Sequence, residues 1–270
     1  MKNSVRHIIA SGIVLSLLWA AVSVPQAQQS GGQNLKFQPQ LVTKTVRVIN
    51  PPARGSVTTT LKGTELAPNA SGQAKLKMGE VEVTLEVQGS GLGAPGSYGA
   101  QFETYVVWAI TPAGKAFKLG VMTSKGSRYE FKTKSAVRSF AIVVTAEPYQ
   151  QVARPADTIV LAVPAGGETV AASCEFLKGG YTPVGYLFQP LDTGAGYPPE
   201  IVQMYNAQRI ATLAGAKGDE NFRTAEQLFD SVVFSAQRQK KFTDVILGQA
   251  TSSTAYFEAA RMKALQHLMR

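Results

Sequence analysis

The chain has 270 residues, with 27 Lys and Arg against 18 Asp and Glu, two His and a single Cys, for a net charge of +9. One thiol excludes a disulfide framework, and so few imidazoles exclude a His-rich metal site and a Ser-His or Cys-His nucleophile pair. The length suffices for one large domain or two small ones, so stability must come from packed cores.

Lys2 and Arg6 give a positive start, and an uncharged apolar run extends from Ile8 to Val24 before Pro25-Gln26-Ala27 and the polar Gln28-Gln29-Ser30-Gly31-Gly32. That order reads as a secretory signal over residues 1–27 with cleavage before Gln28. The alternative is an uncleaved anchor, for which a run of 17 residues is at the lower limit. No Cys lies at the junction, which excludes lipoprotein processing. The expected location is periplasmic or extracellular, with no integral membrane span after cleavage. Without residues 1–27 the chain keeps 25 basic and 18 acidic residues, and the excess sits between Gln28 and Ala165, with 15 basic against 8 acidic.

Residues 28–163 are expected to form a β-domain. Glu80 to Val87 alternates, with Val81, Val83, Leu85 and Val87 on one face and Glu80, Glu82 and Glu86 on the other, the mark of a half-buried strand. Phe102 to Ile110 is apolar on both faces, as in a strand covered from both sides. Thr111-Pro112-Ala113-Gly114-Lys115 supplies turn chemistry before Ala116 to Val121 runs back, which predicts a hairpin. Ser139–Thr145 and Asp157–Val163 read as further strands, and Thr45–Ile49, Val57–Leu61 and Ala74–Met78 as earlier ones. About eight short strands without helical patterning predict an antiparallel, immunoglobulin-like β-sandwich.

Gly91-Leu92-Gly93-Ala94-Pro95-Gly96 matches dinucleotide-binding spacing but leads into a strand, where the motif requires a helix, so no cofactor is expected. Glu103, Glu130, Glu147 and Asp157 are carboxylates that could act as acid and base, yet no spacing singles out a pair. Lys115, Lys118, Lys125, Arg128, Lys132, Lys134 and Arg138 crowd into 24 residues opposed only by Glu130. One surface of the β-domain is therefore expected to be positive: either a solvated face, or a contact for an acidic envelope polymer, acidic headgroups or an acidic protein. Nucleic acid is not an expected partner, because the cluster lacks the interleaved aromatics of single-strand binders.

Residues 164–199 form a Gly- and Pro-rich connector that carries Phe176, Tyr181, Tyr186, Phe188 and Tyr197. These rings either pack the connector onto its neighbours or form an aromatic patch for sugars or a partner. Cys174 lies in the same stretch, as a small buried hydrophobe or as a thiol that pairs two chains.

Residues 200–270 are expected to be helical. Glu200 to Leu213 has no internal Gly or Pro and ends before Gly215. Phe222, Ala225, Leu228, Phe229, Val232, Val233 and Ala236 step by three and four, and after the N-cap Thr243 so do Ile246, Ala250, Ser253, Phe257, Ala260, Ala264 and Leu268. An antiparallel helical hairpin or three-helix bundle is predicted, and the overall class is α+β.

Tyr105-Val106-Val107-Trp108-Ala109-Ile110-Thr111-Pro112 with Gly114, Leu119-Gly120, and Phe140 to Tyr149 resemble the β-domain of a group of exported bacterial envelope proteins. Asn206 to Ala211, Ala225-Glu226-Gln227-Leu228 and Ala255 to Arg261 are similar to the Ala-rich helical segment that follows it in that group. Many of those relatives continue into a peptidoglycan-binding domain of the outer-membrane-protein-A type, whereas this sequence stops at Arg270. The resemblance implies an envelope role and an architecture, and carries no catalytic residue across. The expected function is thus a non-enzymatic binding or scaffolding protein of the cell envelope, with an envelope protein or acidic polymer as partner and homo-oligomerisation open. The alternative is a carbohydrate-binding or carbohydrate-active protein that uses the aromatic connector.

Overall fold

The structure, a computed structural model, describes residues 39–164, 170–179 and 196–268. These hold strands β1 (Gln40–Arg47), β2 (Gly55–Gly63), β3 (Ser71–Met78), β4 (Val83–Ser90), β5 (Thr104–Ile110), β6 (Ala116–Val121), β7 (Thr123–Lys125), β8 (Arg128–Ser135), β9 (Ala141–Glu147), β10 (Ile159–Ala162) and β11 (Ala171–Lys178). Helices α1 (Pro199–Leu213), α2 (Glu220–Gln239) and α3 (Asp244–Leu268) follow.

The α+β class is as expected, with antiparallel strands first and three helices last. The immunoglobulin-like sandwich is not confirmed. Nine strands bond in one sheet, ordered β6-β5-β9-β10-β2-β3-β4-β8-β7, because β10 pairs with both β9 and β2 and so joins what would otherwise be two sheets. This sheet curls until β6 approaches β8, which makes it nearly a barrel. Two local features permit the curl. Leu119 is an extra residue between the pairs Val107↔Gly120 and Trp108↔Lys118, a bulge that bends β6. Gly120 then faces Phe131, whose ring would lie 2.7 Å from any Cβ placed there.

Alternation places Leu76, Leu85 and Val87 from one half of the curl against Val107, Ile142, Val144 and Leu161 from the other, all fully buried. β1 and β11 form a separate antiparallel ribbon. Its Val46, Val48, Cys174 and Phe176 cover Ile110, Ala141 and Val143 on the outer side of β5 and β9. Every residue of β5 and β9 is therefore buried, as the two-sided apolar pattern of Phe102 to Ile110 implies. The turn between β5 and β6 closes with Gly114 N–H donating to Thr111 O at 2.8 Å and Gly114 at φ +79°.

Two expectations are corrected at element ends. Val81 is 76% exposed, since Gly79 N–H bonds to Glu82 O and puts Glu80 and Val81 at a turn before β4 begins. Leu268 is exposed, and Leu265 fills the position at the end of the α3 stripe. The rest of the stripes hold: Phe222, Ala225, Phe229, Val232 and Ala236 of α2 meet Ile246, Ala250, Phe257 and Ala260 of α3, with Phe222 and Phe257 edge to face at 5.1 Å. Asp219 caps α2 through Asn221 N–H, and Ile246 N–H bonds to Thr243 Oγ1 ahead of α3. No helix among the described residues is long and apolar enough to cross a membrane.

The helices share one apolar cluster with the sheet. α1 docks through Asn206 Nδ2, which donates to Gln101 O and Pro148 O, and through Gln203 Oε1, which accepts from Gln150 N–H.

Candidate functional site

Two polar constellations stand out: one buried between sheet and helices, and one on the open outer face of β2, β3, β4 and β8. In the first, Trp108 Nε1 donates to Thr145 Oγ1 at 2.8 Å, and Thr145 donates to Glu147 Oε1, which also accepts from Ala156 N–H. Glu258 of α3 is still more engaged. Arg261 donates Nε and an Nη to its two oxygens at 2.6 and 2.8 Å, Tyr149 Oη donates at 2.7 Å and Ala153 N–H at 2.8 Å. A bidentate guanidinium, a phenol and an amide use the carboxylate fully. Glu147 and Glu258 are thus tied to backbone and neighbouring side chains within the junction. Glu130 lies on the outer face, whereas Glu103 and Asp157 lie near Glu147 along the backbone: Glu103 N–H donates to Glu147 O at 2.9 Å, and Ala156, next to Asp157, donates to the Glu147 carboxylate.

The outer face is built by register. Ser56, Lys77, Thr84 and Lys134 lie side by side across β2, β3, β4 and β8, followed by Thr58, Lys75, Glu86 and Lys132. Thr60, Gln73, Gln88 and Glu130 form the next row, then Lys62, Ser71, Ser90 and Arg128. β7 extends the last two rows with Thr123 and Lys125. The alternate residues of these strands point into the core, so the grid is a one-sided polar surface that is largely exposed. Ion pairs consume part of its charge: Lys132 with Glu86 at 2.7 Å, Lys125 with Glu130 and Lys134 with Glu82 at 3.4 Å. Lys132 holds the Glu86 carboxyl below its ordinary value, first by a hydrogen bond and then by its charge, and Lys75 and Lys77 act in the same direction. Lys62, Lys75, Lys77 and Arg128 have no ion pair among the described residues.

The sequence cluster is therefore divided. Lys125, Arg128, Lys132 and Lys134 belong to the grid, and Arg138 sits at its rim, where its guanidinium binds Glu80 O at 3.2 Å and Gly79 O. Lys115 lies in the β5–β6 turn, 4.9 Å from the Phe117 ring. Lys118 reaches around to the helix side, where it donates to Gln150 O at 2.8 Å. Loss of solvent lowers its pKa, and the charges of Glu258 and Glu147 offset part of that shift. Sequence proximity missed Lys62, Lys75 and Lys77, which only strand register brings beside β8.

Of the connector aromatics, Phe176 is fully buried in β11, and Tyr197 packs on Phe242 with centroids 6.1 Å apart. Tyr181, Tyr186 and Phe188 lie outside the described residues. Cys174 is buried on the inner side of the ribbon, and burial raises its thiol pKa. The described residues hold no group of three or more His, Cys, Asp or Glu placed to bind a metal ion. Neither a known protein-family model nor a curated protein matches the chain.

Proposed function

We propose that this chain is an exported, non-enzymatic component of the cell envelope that binds or scaffolds an anionic partner through the outer face of β2, β3, β4, β8 and β7. The observation that carries the reading is the grid itself. It holds seven cations, Lys62, Lys75, Lys77, Lys125, Arg128, Lys132 and Lys134, with Glu86 and Glu130 as its acidic members. Interleaved Thr, Ser and Gln add hydrogen-bonding groups that a polymer of hydroxyls and acids would use. Uncompensated cations on neighbouring strands repel one another, and a polyanion removes that cost. Export by cleavage near Gln28, and kinship with the exported envelope proteins that the β-domain and Ala-rich helices resemble, belong to the same proposal.

The test is binding of the chain from Gln28 onward to dextran sulfate and to neutral dextran across a salt series. Affinity for the sulfated polymer should fall steadily as the Debye length shrinks toward about 8 Å. Reversal of Lys75, Arg128, Lys132 and Lys134 to Glu, singly and together, should weaken binding with each charge removed. Binding indifferent to salt and to all four reversals would reduce the grid to a solvated surface.

A further inference from the structure

Strand β2 lies inside the sheet order, yet one of its edges is unpaired over most of its length. β3 matches it from Gly55 to Lys62, whereas β10 reaches only Lys62 and Gly63. Backbone direction alternates along a strand, and two hydrogen bonds set the phase. Gly63 N–H donates to Ala70 O on the β3 side, and Thr64 N–H donates to Val160 O on the β10 side. Counting back by twos, Ser56, Thr58 and Thr60 direct their N–H and C=O toward the β10 side, where no strand meets them among the described residues. An interior strand with three consecutive orphan donor-acceptor pairs is a template for another strand.

Beside that edge lies a groove of about 640 Å³, bounded opposite β2 by Arg47, Val48, Ile49, Val163 and Val170. It passes Arg47 and Val163 into a second space of about 720 Å³. Arg47 is the one charged residue lining the groove at the β2 edge. It is half-buried and makes no hydrogen bond or ion pair among the described residues.

We infer that the β2 edge is a docking strip for an extended polypeptide segment of a partner protein, which adds as a strand and presents an acidic side chain to Arg47. An extended backbone is the ligand that offers donors and acceptors at the strand repeat, and the Arg47 guanidinium in the groove selects the sign of the side chain. This strip uses backbone in the plane of the sheet, so it is distinct from the outward-facing cation grid and does not depend on it.

Amide hydrogen exchange followed by NMR tests the inference on the chain from Gln28 onward. In the free protein the amides of Ser56, Thr58 and Thr60 should exchange fast and those of Val57, Thr59 and Leu61 slowly. A capped peptide of alternating valine and glutamate, about eight residues long, should slow the first three amides, and should bind about tenfold more tightly than its valine-lysine counterpart. Arg47→Glu should reverse that preference. Thr58→Pro removes an edge-facing N–H and leaves the β3 ladder intact, so it should abolish peptide binding while the circular dichroism spectrum is retained. Slow exchange at Ser56, Thr58 and Thr60 in the monomeric free chain would mean that the chain's own backbone fills the edge. The same protection in a dimer that Thr58→Pro dissociates would assign it to a second copy. Either result, or no binding of the acidic peptide by a chain whose three amides exchange fast, overturns the proposal.

Discussion

Tyr149 donates its phenolic hydrogen to Glu258 Oε2 at 2.7 Å, a bond that joins residues 109 apart and fastens α3 to the segment following β9. The same carboxylate accepts from Ala153 N–H and holds Arg261, whose side chain is fully buried. The sheet and the helices therefore meet through a desolvated charge pair as well as through apolar contact.

Breaking that pair from one side should be costly. Glu258→Leu leaves the Arg261 guanidinium facing an apolar side chain, and losses of this kind run to about 3–5 kcal/mol. Tyr149→Phe removes one hydrogen bond to a charged group and should cost about 1.5–3 kcal/mol. Denaturant melts of both variants and of their combination give the coupling. Additive losses would show that the phenol and the ion pair act independently.

A shared apolar cluster predicts one unfolding transition. Trp108 sits in β5 against Thr145, so its fluorescence reports the sheet, while far-ultraviolet circular dichroism is dominated by the helices. The two signals should trace the same denaturant curve. Separate midpoints would mean that the helices come away before the sheet opens.

The strands were legible in the sequence where one face is wet and the other dry, as in Val83 to Val87, because period-two alternation is a local signal. β11 was not. Its inward Ala172, Cys174 and Phe176 alternate with Ser173 and Glu175, but they lie amid Gly, Pro and aromatic residues, and their partner strand is about 130 residues away. The curl was hidden for a similar reason, since it depends on a bulge at Leu119 and a missing side chain at Gly120. Four of the seven grid cations were readable as a run from Lys125 to Lys134. The other three, Lys62, Lys75 and Lys77, read as scattered surface lysine until register places them beside that run.

Acid should strengthen polyanion binding. Glu86 competes with any anionic ligand for Lys132 and Lys75, and its carboxyl titrates below the ordinary value of 4.5. A lowered folded value means that the Lys132 pair supports the fold above the unfolded value and is lost as pH falls through the folded one. Affinity for dextran sulfate, which stays ionised, should therefore rise below pH 4.5. Glu86→Gln should give a gain of about twofold to fivefold already at neutral pH. Unchanged affinity in that variant would place the ligand away from the middle rows of the grid.

Alkaline titration should spare Tyr105 until the fold opens. Tyr105 is buried in the curl, its hydroxyl donates to Gly93 O at 2.8 Å, and its ring meets Tyr129 edge to face at 4.8 Å. Burial, with smaller contributions from Tyr98 and Tyr129, pushes its pKa far above the ordinary 10.0. A raised folded value means that its stabilising contribution is present below the unfolded value and declines as pH rises beyond it. Ultraviolet difference titration should show Tyr105 ionising only with unfolding. Ionisation of Tyr105 while the circular dichroism spectrum is still native would place it in contact with water.

The ribbon also sets an order of events during synthesis. β1 emerges first and its ladder partner among the described residues, β11, about 130 residues later, so the longest-range pairing in the sheet layer has to close late. Until it does, Ile110, Ala141 and Val143 of the central strands lie open on one side, and Val46 and Val48 have nothing to cover. The nascent chain consequently passes through a stage that is adhesive toward other chains and toward any holdase that favours exposed aliphatic strands. Arrival of Ala171–Lys178 ends that stage, so the segment around Cys174 acts as the clasp that converts an unfinished sheet into a closed one.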